Sequence, residues 1–261
     1  MRTKITILSA AALAAGILSS QAQVFSANIV GYANVVLTNG FNMVANPFNA
    51  GSSNGMNEIF PSLPDNTSLF QWNQASSTFR INIYDSGGTG DPNSWFNSDE
   101  SASVPIPTIA PGAGFFLSLP NSVSTITNTF VGSVAPQVGG SVSNLLLRGF
   151  NMVGSKIPLG GNDSGVLWGL GGGTASPGFL PDNTAVYQWQ RTTKTYVINI
   201  FDTGGAPRPL SGSDYTNGWF NSDESLSVPP PPFTVGQGFF LVMPNSIPIG
   251  GINWVQTLSI Q

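Results

Sequence analysis

One phrase occurs twice in this chain: Trp-Phe-Asn-Ser-Asp-Glu-Ser stands at residues 95–101 and again at 219–225. Matching phrases surround both copies in the same order along the chain. They are Pro-Asp-Asn-Thr at 64–67 and 181–184, Gly-Phe-Asn-Met-Val at 40–44 and 149–153, and Gly-Phe-Phe-Leu at 114–117 and 238–241. This order indicates a tandem duplication, so we expect two homologous units that share one fold.

The N-terminal segment has the pattern of an export signal. Arg2 and Lys4 precede an apolar run, and Ser20-Gln21-Ala22 places small residues where a signal peptidase cleaves. We predict that residues 1–22 are a signal peptide. The protein would then be secreted to the periplasm, the cell surface or the medium. No later run is long and apolar enough to insert into a membrane as a helix.

Short runs of β-branched and aromatic residues alternate with Gly, Pro and Asn in the remaining chain. This pattern predicts an all-β protein. We expect two tandem units, residues 23–139 (unit one) and 140–261 (unit two), each a β-sandwich or a barrel-like sheet. In each unit a hairpin carries a tryptophan, Trp72 or Trp189, and the alternation of its side chains predicts that this ring lies in the core.

Charge and composition exclude several classes of function. Charged residues make up 8% of the chain, against about 25% in an ordinary globular domain. Eight Lys and Arg oppose twelve Asp and Glu, and two of the basic residues lie in the signal segment. We therefore expect neither a nucleic-acid partner nor membrane insertion, and the oligomeric state stays open. The absence of His and Cys removes thiol nucleophiles, disulfides and the usual zinc, copper and haem ligands.

The repeated acidic residues support three interpretations. Calcium prefers many oxygen ligands, and the candidates are Asp85, Asp99 and Glu100 in unit one and Asp202, Asp223 and Glu224 in unit two. Their spacing matches no familiar calcium loop, so we favour a turn whose side-chain oxygens accept backbone N–H groups. We accordingly expect no cofactor. A glycosidase would need two carboxyls separated by about 5–10 Å, whereas adjacent carboxylates on an extended chain point apart.

Two further tryptophans stand in loops beside polar residues and are candidates for stacking on sugar rings. The ligand-binding residues of this hypothesis are Trp95, Asn97 and Asp99 in unit one and Trp219, Asn221 and Asp223 in unit two. Alternatively, both rings fill the interior beneath the loops, which is the commoner use of tryptophan. We favour the buried arrangement.

Three longer phrases resemble a family of proteins. They are Gly-Phe-Asn-Met-Val-Ala-Asn-Pro-Phe at 40–48, Leu-Phe-Gln-Trp-Asn at 69–73 and Pro-Gly-Ala-Gly-Phe-Phe-Leu at 111–117. They resemble uncharacterised exported two-repeat β-proteins of environmental bacteria, and they are similar to small β-modules of secreted bacterial surface proteins. The resemblance implies a fold and supplies no catalytic residue.

These observations rank three functions. The first is a non-enzymatic structural or adhesive role at the cell surface or in the extracellular matrix, with a cell-surface or extracellular polymer as partner. The second is carbohydrate binding through the loop tryptophans. The third is a carboxylate-based glycoside hydrolase.

Overall fold

A computed structural model describes residues 29–87, 94–135, 140–158, 160–161, 168, 180–202 and 218–257. Regular structure within these ranges is almost entirely β-strand, so the prediction of an all-β chain is confirmed. The predicted signal peptide, residues 1–22, and residues 136–139 at the predicted unit boundary lie outside the described ranges. No helix in the described ranges is long and apolar enough to cross a membrane.

The described part of unit one forms one five-stranded sheet, one two-stranded ribbon and a short helix. Its elements are β1 (Val30–Thr38), β2 (Gly40–Ala45), α1 (Met56–Ile59), β3 (Thr67–Asn73), β4 (Thr78–Tyr84), β5 (Trp95–Asn97), β6 (Gly114–Leu119) and β7 (Thr125–Ser133). The antiparallel sheet has the order β2-β6-β3-β4-β5. Strands β1 and β7 pair separately along nine residues each to form the ribbon.

Unit two has the same arrangement. Its strands are β8 (Ser141–Leu146), β9 (Gly149–Gly154), β10 (Thr184–Gln190), β11 (Thr195–Phe201), β12 (Trp219–Asn221), β13 (Gly238–Met243) and β14 (Ile252–Thr257). The sheet has the order β9-β13-β10-β11-β12, and β8 pairs with β14 as the ribbon. Both five-stranded sheets are open at their ends, so the barrel-like alternative is wrong.

Each unit buries a core between its ribbon and one face of its sheet. In unit one this core includes Leu37, Leu69, Phe115, Leu117 and Phe130. In unit two it includes Leu146, Val186, Phe239, Leu241 and Trp254. Burial of such side chains contributes roughly 1.5–3 kcal/mol each relative to leaving them in water, which gives a chain without cysteine two separate apolar cores.

The strand β6 and its counterpart β13 are buried on both faces. Phe115 and Leu117 of β6 point into the core of unit one, whereas Phe116 between them joins a third apolar cluster. That cluster also contains Met43, Met152 and Phe240, and so draws on both units. Burial on two faces explains the continuous apolar phrase Gly-Phe-Phe-Leu, because a strand with one wet face would alternate instead.

Candidate functional site

The repeated acidic phrase forms a turn stabilised by its own side chains. Asp99 Oδ1 accepts hydrogen bonds from the backbone N–H of Ser101 at 3.1 Å and from its hydroxyl at 2.6 Å. Asn97 Oδ1 accepts from the backbone N–H of Ala102 at 3.1 Å. Glu100 has φ of 56°, the left-handed conformation that such turns contain. In unit two, Asp223 and Ser225 repeat the same two bonds at 3.1 and 2.6 Å.

The carboxylates of this turn are stabilised in their charged form. The hydroxyl and backbone N–H of Ser101 lower the pKa of Asp99, and those of Ser225 lower the pKa of Asp223. Within the described ranges, no three or more Asp and Glu side chains come together as a group that would hold a metal ion. The calcium candidates Asp85, Glu100, Asp202 and Glu224 are therefore not gathered into a site around these two carboxylates.

Trp95 and Trp219 lie inside the cores and have 0% of their surface exposed. Trp95 packs against Tyr84, with ring centroids 5.3 Å apart, and its Nε1 donates to Asn57 Oδ1 at 2.8 Å. Trp219 packs against Phe201 and Trp168, with both centroid distances at 5.3 Å. Because β5 and β12 direct both rings inward, the rings are buried, which is the arrangement favoured from the sequence, and the alternative of exposed stacking rings at these positions is not supported.

The Asn and Asp residues of the candidate sugar-binding site lie at or near the surface, whereas the tryptophan rings do not. Asn97 and Asn221 are half-buried, and Asp99 and Asp223 are exposed. Asn97 Nδ2 donates to Ser101 Oγ at 2.9 Å, and Asn221 repeats the contact at 3.1 Å. In each unit the tryptophan therefore lies in the core, whereas the Asn and Asp that follow it close a loop over that core.

The hairpin tryptophans Trp72 and Trp189 occupy a different place from the predicted one. Both rings are half-buried on the face of the sheet opposite the unit core. Trp72 Nε1 donates to the carbonyl oxygen of Phe150 at 2.9 Å, and Trp189 Nε1 donates to that of Phe41 at 3.0 Å. Each ring therefore bonds to the opposite unit, and the two contacts are reciprocal.

These two tryptophans belong to a network of ten aromatic rings between the sheets, which we call the joint. Its members form five equivalent pairs: Phe41 and Phe150, Phe70 and Tyr187, Trp72 and Trp189, Phe79 and Tyr196, and Phe116 and Phe240. Contacts across the units include Trp72 to Phe240 at 5.6 Å and Phe116 to Trp189 at 5.9 Å, both edge-to-face. Such pairs contribute about 0.5–1.5 kcal/mol each beyond the area that they bury.

Backbone hydrogen bonds close the joint along both sheet edges. The N–H of Ala45, at the end of β2, donates to the carbonyl oxygen of Gly236 at 2.8 Å. The equivalent N–H of Gly154, at the end of β9, donates to that of Gly112 at 3.0 Å. Each unit thus covers part of the other's edge strand, which would otherwise present unpaired backbone groups.

A cleft lies beside the joint and consists of two adjoining depressions of about 680 and 510 Å³. The larger is lined by β1 and β2 of unit one and by residues 189–192 and 234–237 of unit two. The smaller adds the 38–41 turn and Lys194. Trp189 and Arg191 line both depressions. The sequence offered no signal for this cleft, because its walls come from strands far apart in the chain.

Comparisons of the chain with protein-family models, with curated proteins and with solved structures find no match. The resemblance to exported two-repeat β-proteins therefore stays a prediction. A function for this chain therefore has to follow from its own structure, and the joint and the cleft beside it are its two main features.

Proposed function

We propose that this chain is an exported, non-enzymatic protein that has a structural or adhesive role at the cell surface or in the extracellular matrix. Its two units would be products of a tandem duplication, preceded by a signal peptide that ends at Ala22. A cell-surface or extracellular polymer would be its partner. The observation that carries this proposal is the joint, which fastens the two sheets together through reciprocal contacts.

The joint suits a load-bearing role because its contacts differ in kind and are distributed along the whole contact between the sheets. Indole hydrogen bonds at Trp72 and Trp189, edge-to-face rings and backbone bonds at Ala45 and Gly154 act together. Separation of the units would expose to water the ring surface that the joint buries. Two units joined in this way share a packed interface and are connected by more than a linker.

The repeated phrases also support a structural role, since their residues stabilise the fold. Trp95 and Trp219 fill cores, and Asp99 and Asp223 hold their turns. A shared fold in the two units would explain why these residues recur. The glycan hypothesis loses Trp95 and Trp219 as stacking rings, and the glycosidase hypothesis has no supporting feature in the turns.

The export part of the proposal is tested by expressing residues 1–261 in a bacterial host and analysing washed cells, medium and cytoplasm. We expect a chain that begins at Gln23, identified by mass spectrometry, in the envelope or the medium. A version that lacks residues 1–22 is the matched control and should stay in the cytoplasm. An uncleaved full-length chain in the cytoplasm would contradict export.

The adhesive part is tested by coating beads with the purified protein and counting beads that stay on washed bacterial cells or on isolated matrix polymers. We expect retention above that of beads coated with an unrelated acidic protein. Release of reducing sugar from any of these polymers, abolished by Asp99→Asn together with Asp223→Asn, would instead establish the glycosidase hypothesis. Absence of retention on every cell and polymer would leave only the structural role.

A further inference from the structure

We propose that the cleft beside the joint binds an anionic polysaccharide, in which Arg191 and Lys194 contact the carboxylates and Trp189 packs against the sugar. This inference deepens the adhesive role proposed above by naming its site and its ligand class. The proposed glycan site rests on the proposed adhesive role only in assuming that the protein is outside the cytoplasm. The ligand would be a uronic-acid polymer or a glycan of the same charge.

The cleft carries a local positive charge, although the protein as a whole is acidic. The chain has a net charge of −4, and only six of its basic residues lie outside the predicted signal peptide. Two of those six, Arg191 and Lys194, line the smaller depression, and Arg191 also lines the larger. Among the described residues that form the two linings there is no Asp or Glu. The cleft is therefore a positive region on an acidic protein, where an anion meets the least repulsion.

The side chain of Arg191 is held in place by hydrogen bonds to unit one. Its Nη1 donates to the carbonyl oxygen of Val36 at 2.7 Å and to Asn42 Oδ1 at 3.4 Å, both in unit one. Asn42 is itself buried and bonded to Thr38. Among the described residues, Nε and Nη2 have no hydrogen-bond partner. A guanidinium held in this way presents its remaining donors as a fork that matches a carboxylate.

The cleft also has an aromatic ring and polar side chains in its lining. The Trp189 ring is half-buried and makes edge-to-face contacts with Phe116 and Tyr196, with centroid distances of 5.9 and 5.2 Å. Exposed polar side chains in the two linings are Asn34, Asn39, Asn121, Gln190, Thr192 and Thr234. A rigid aromatic ring beside amides and hydroxyls is the combination that sugar rings require.

The equivalent hairpin of unit one lacks both positive charges. There Gln74 and Ser77 occupy the positions of Arg191 and Lys194, two and five residues after the tryptophan. Gln74 Nε2 donates to Asn151 Oδ1 at 3.0 Å and to the carbonyl oxygen of Arg148 at 3.3 Å. A neutral side chain therefore makes comparable contacts across the joint. The positive charges at the second hairpin are not needed for the joint itself, so they are available for a ligand.

These features favour a glycan over the other polyanions. Nucleic acid carries a phosphate on every nucleotide and needs many neutralising cations, whereas the described residues that line the cleft include two, Arg191 and Lys194. An acidic peptide would use the cations but not the aromatic ring. A uronic-acid chain carries one carboxylate on each sugar ring, and its hydroxyl groups fit the amide and hydroxyl lining.

The test measures retention of the purified protein on three immobilised polymers: polygalacturonate, fully methyl-esterified polygalacturonate and poly-glutamate. The ester keeps the sugar and removes the charge, while poly-glutamate keeps the charge and removes the sugar. We expect retention on polygalacturonate alone at low salt. It should be weakened at about 0.5 M NaCl, because exposed ion pairs are screened at that ionic strength.

The decisive variant is Arg191→Gln with Lys194→Ser, which installs the residues that unit one carries. Ser77 has φ of 52° and Lys194 has φ of 53°, so serine suits that backbone. We expect retention on polygalacturonate to fall about tenfold or more, as loss of two charged contacts predicts. Arg80→Gln, which removes an exposed cation from β4 outside the cleft, is the matched control and should retain binding.

The outcomes separate this inference from the proposed function. Equal retention of the double variant and the wild type, equal retention on the ester, or equal retention on poly-glutamate would each overturn the anionic-glycan site. Beads that adhere to cells without binding polygalacturonate would overturn the site and keep the adhesive role. If the double variant does not fold, Lys194→Ser alone, on an exposed turn, removes one of the two charges and should give a smaller fall in retention, and an unchanged retention would overturn the site.

Discussion

At the scale of single residues, Trp95 shows how a polar sequence context conceals a core side chain. It stands four residues before Asp99, but it pairs with Tyr84 across β4 and β5 and bonds to Asn57 beneath the loop. The acidic turn begins only after the strand has ended at Asn97. A ring of this size inside a core resists replacement, because no neighbour fills the space that it leaves.

Replacement of either core tryptophan is expected to be costly. Trp95→Ala and Trp219→Ala should each lower the free energy of unfolding by about 3–5 kcal/mol, through lost burial and the cavity that remains. Equilibrium denaturation in urea measures this change. Trp95→Phe keeps most of the ring and should cost less. A change below about 0.5 kcal/mol in either alanine variant would mean that the ring is at the surface.

Calcium should not affect the stability of this protein. Asp99 and Asp223 already accept two hydrogen bonds each from their own turns, and the described acidic residues form no ligand group around them. We expect the same melting temperature with saturating calcium and with a chelator, measured by circular dichroism. A rise of several degrees with calcium, lost in Asp99→Asn with Asp223→Asn, would establish the metal site.

The same two carboxylates predict an acid-dependent change in stability. The hydroxyls of Ser101 and Ser225 lower the pKa of Asp99 and Asp223 in the folded state. The resulting stabilisation is complete above the unfolded pKa of about 3.9 and is lost as pH falls through the lowered folded values. Melting temperatures between about pH 6 and pH 2 should fall more steeply in the wild type than in the double Asp→Asn variant. Parallel curves would contradict this assignment.

At the scale of elements, the strands β6 and β13, each second from the edge of its sheet, decide how closely the sheets approach. Gly238 begins β13, and a Cβ built there would lie 2.4 Å from the carbonyl oxygen of Val44 in β2. Gly114 begins β6, and a Cβ there would lie 2.9 Å from the backbone nitrogen of Val153 in β9. Both obstacles are backbone atoms, so neither site accepts a methyl group without moving a strand.

This close approach gives a direct prediction. Gly238→Ala should destabilise the protein by about 1–3 kcal/mol, as expected when a side chain overfills a packed contact. Gly114→Ala should cost less, because its contact is less severe. Gly250→Ala is the control, since a Cβ there meets nothing within 4 Å. Urea denaturation of the three variants should give that order, and an equal effect at Gly238 and Gly250 would refute the close contact.

At the scale of the whole molecule, the joint has the geometry of a two-fold interface within one chain. Several contacts on one side have an equivalent on the other: Trp72 with Phe150 mirrors Trp189 with Phe41, and Val44 with Gln237 mirrors Val153 with Ala113. Isologous dimers use one surface twice in this manner. The two units therefore depend on each other for the burial of one sheet face.

Loss of the joint tryptophans is expected to uncouple the units. The wild type should unfold in one calorimetric transition, because neither unit buries its aromatic face alone. Trp72→Ala with Trp189→Ala should broaden or divide that transition. Trp72→Phe with Trp189→Phe keeps one aromatic ring at each position, loses the indole N–H bonds to Phe150 and Phe41 together with part of the ring surface, and should preserve it. Two transitions in the wild type would refute the coupling.

Local order was predictable wherever one segment carries its own signal. The hairpin of β3 and β4 followed from alternating aromatic residues, and the turn at Asp99 followed from the affinity of Asp and Ser for nearby backbone N–H groups. Each of these interactions joins residues close in sequence, so a short segment contains both partners.

The sequence by itself determined the strand content, the repeated turns and the apolar faces, because strand period and turn chemistry are local properties. Only the tertiary structure decided which apolar face meets which. It placed Trp95 and Trp219 in the cores, placed Trp72 and Trp189 at the joint, and formed the cleft around Arg191. Those outcomes depend on contacts between residues up to about 150 positions apart, and a side chain's alternation gives its face but not its partner.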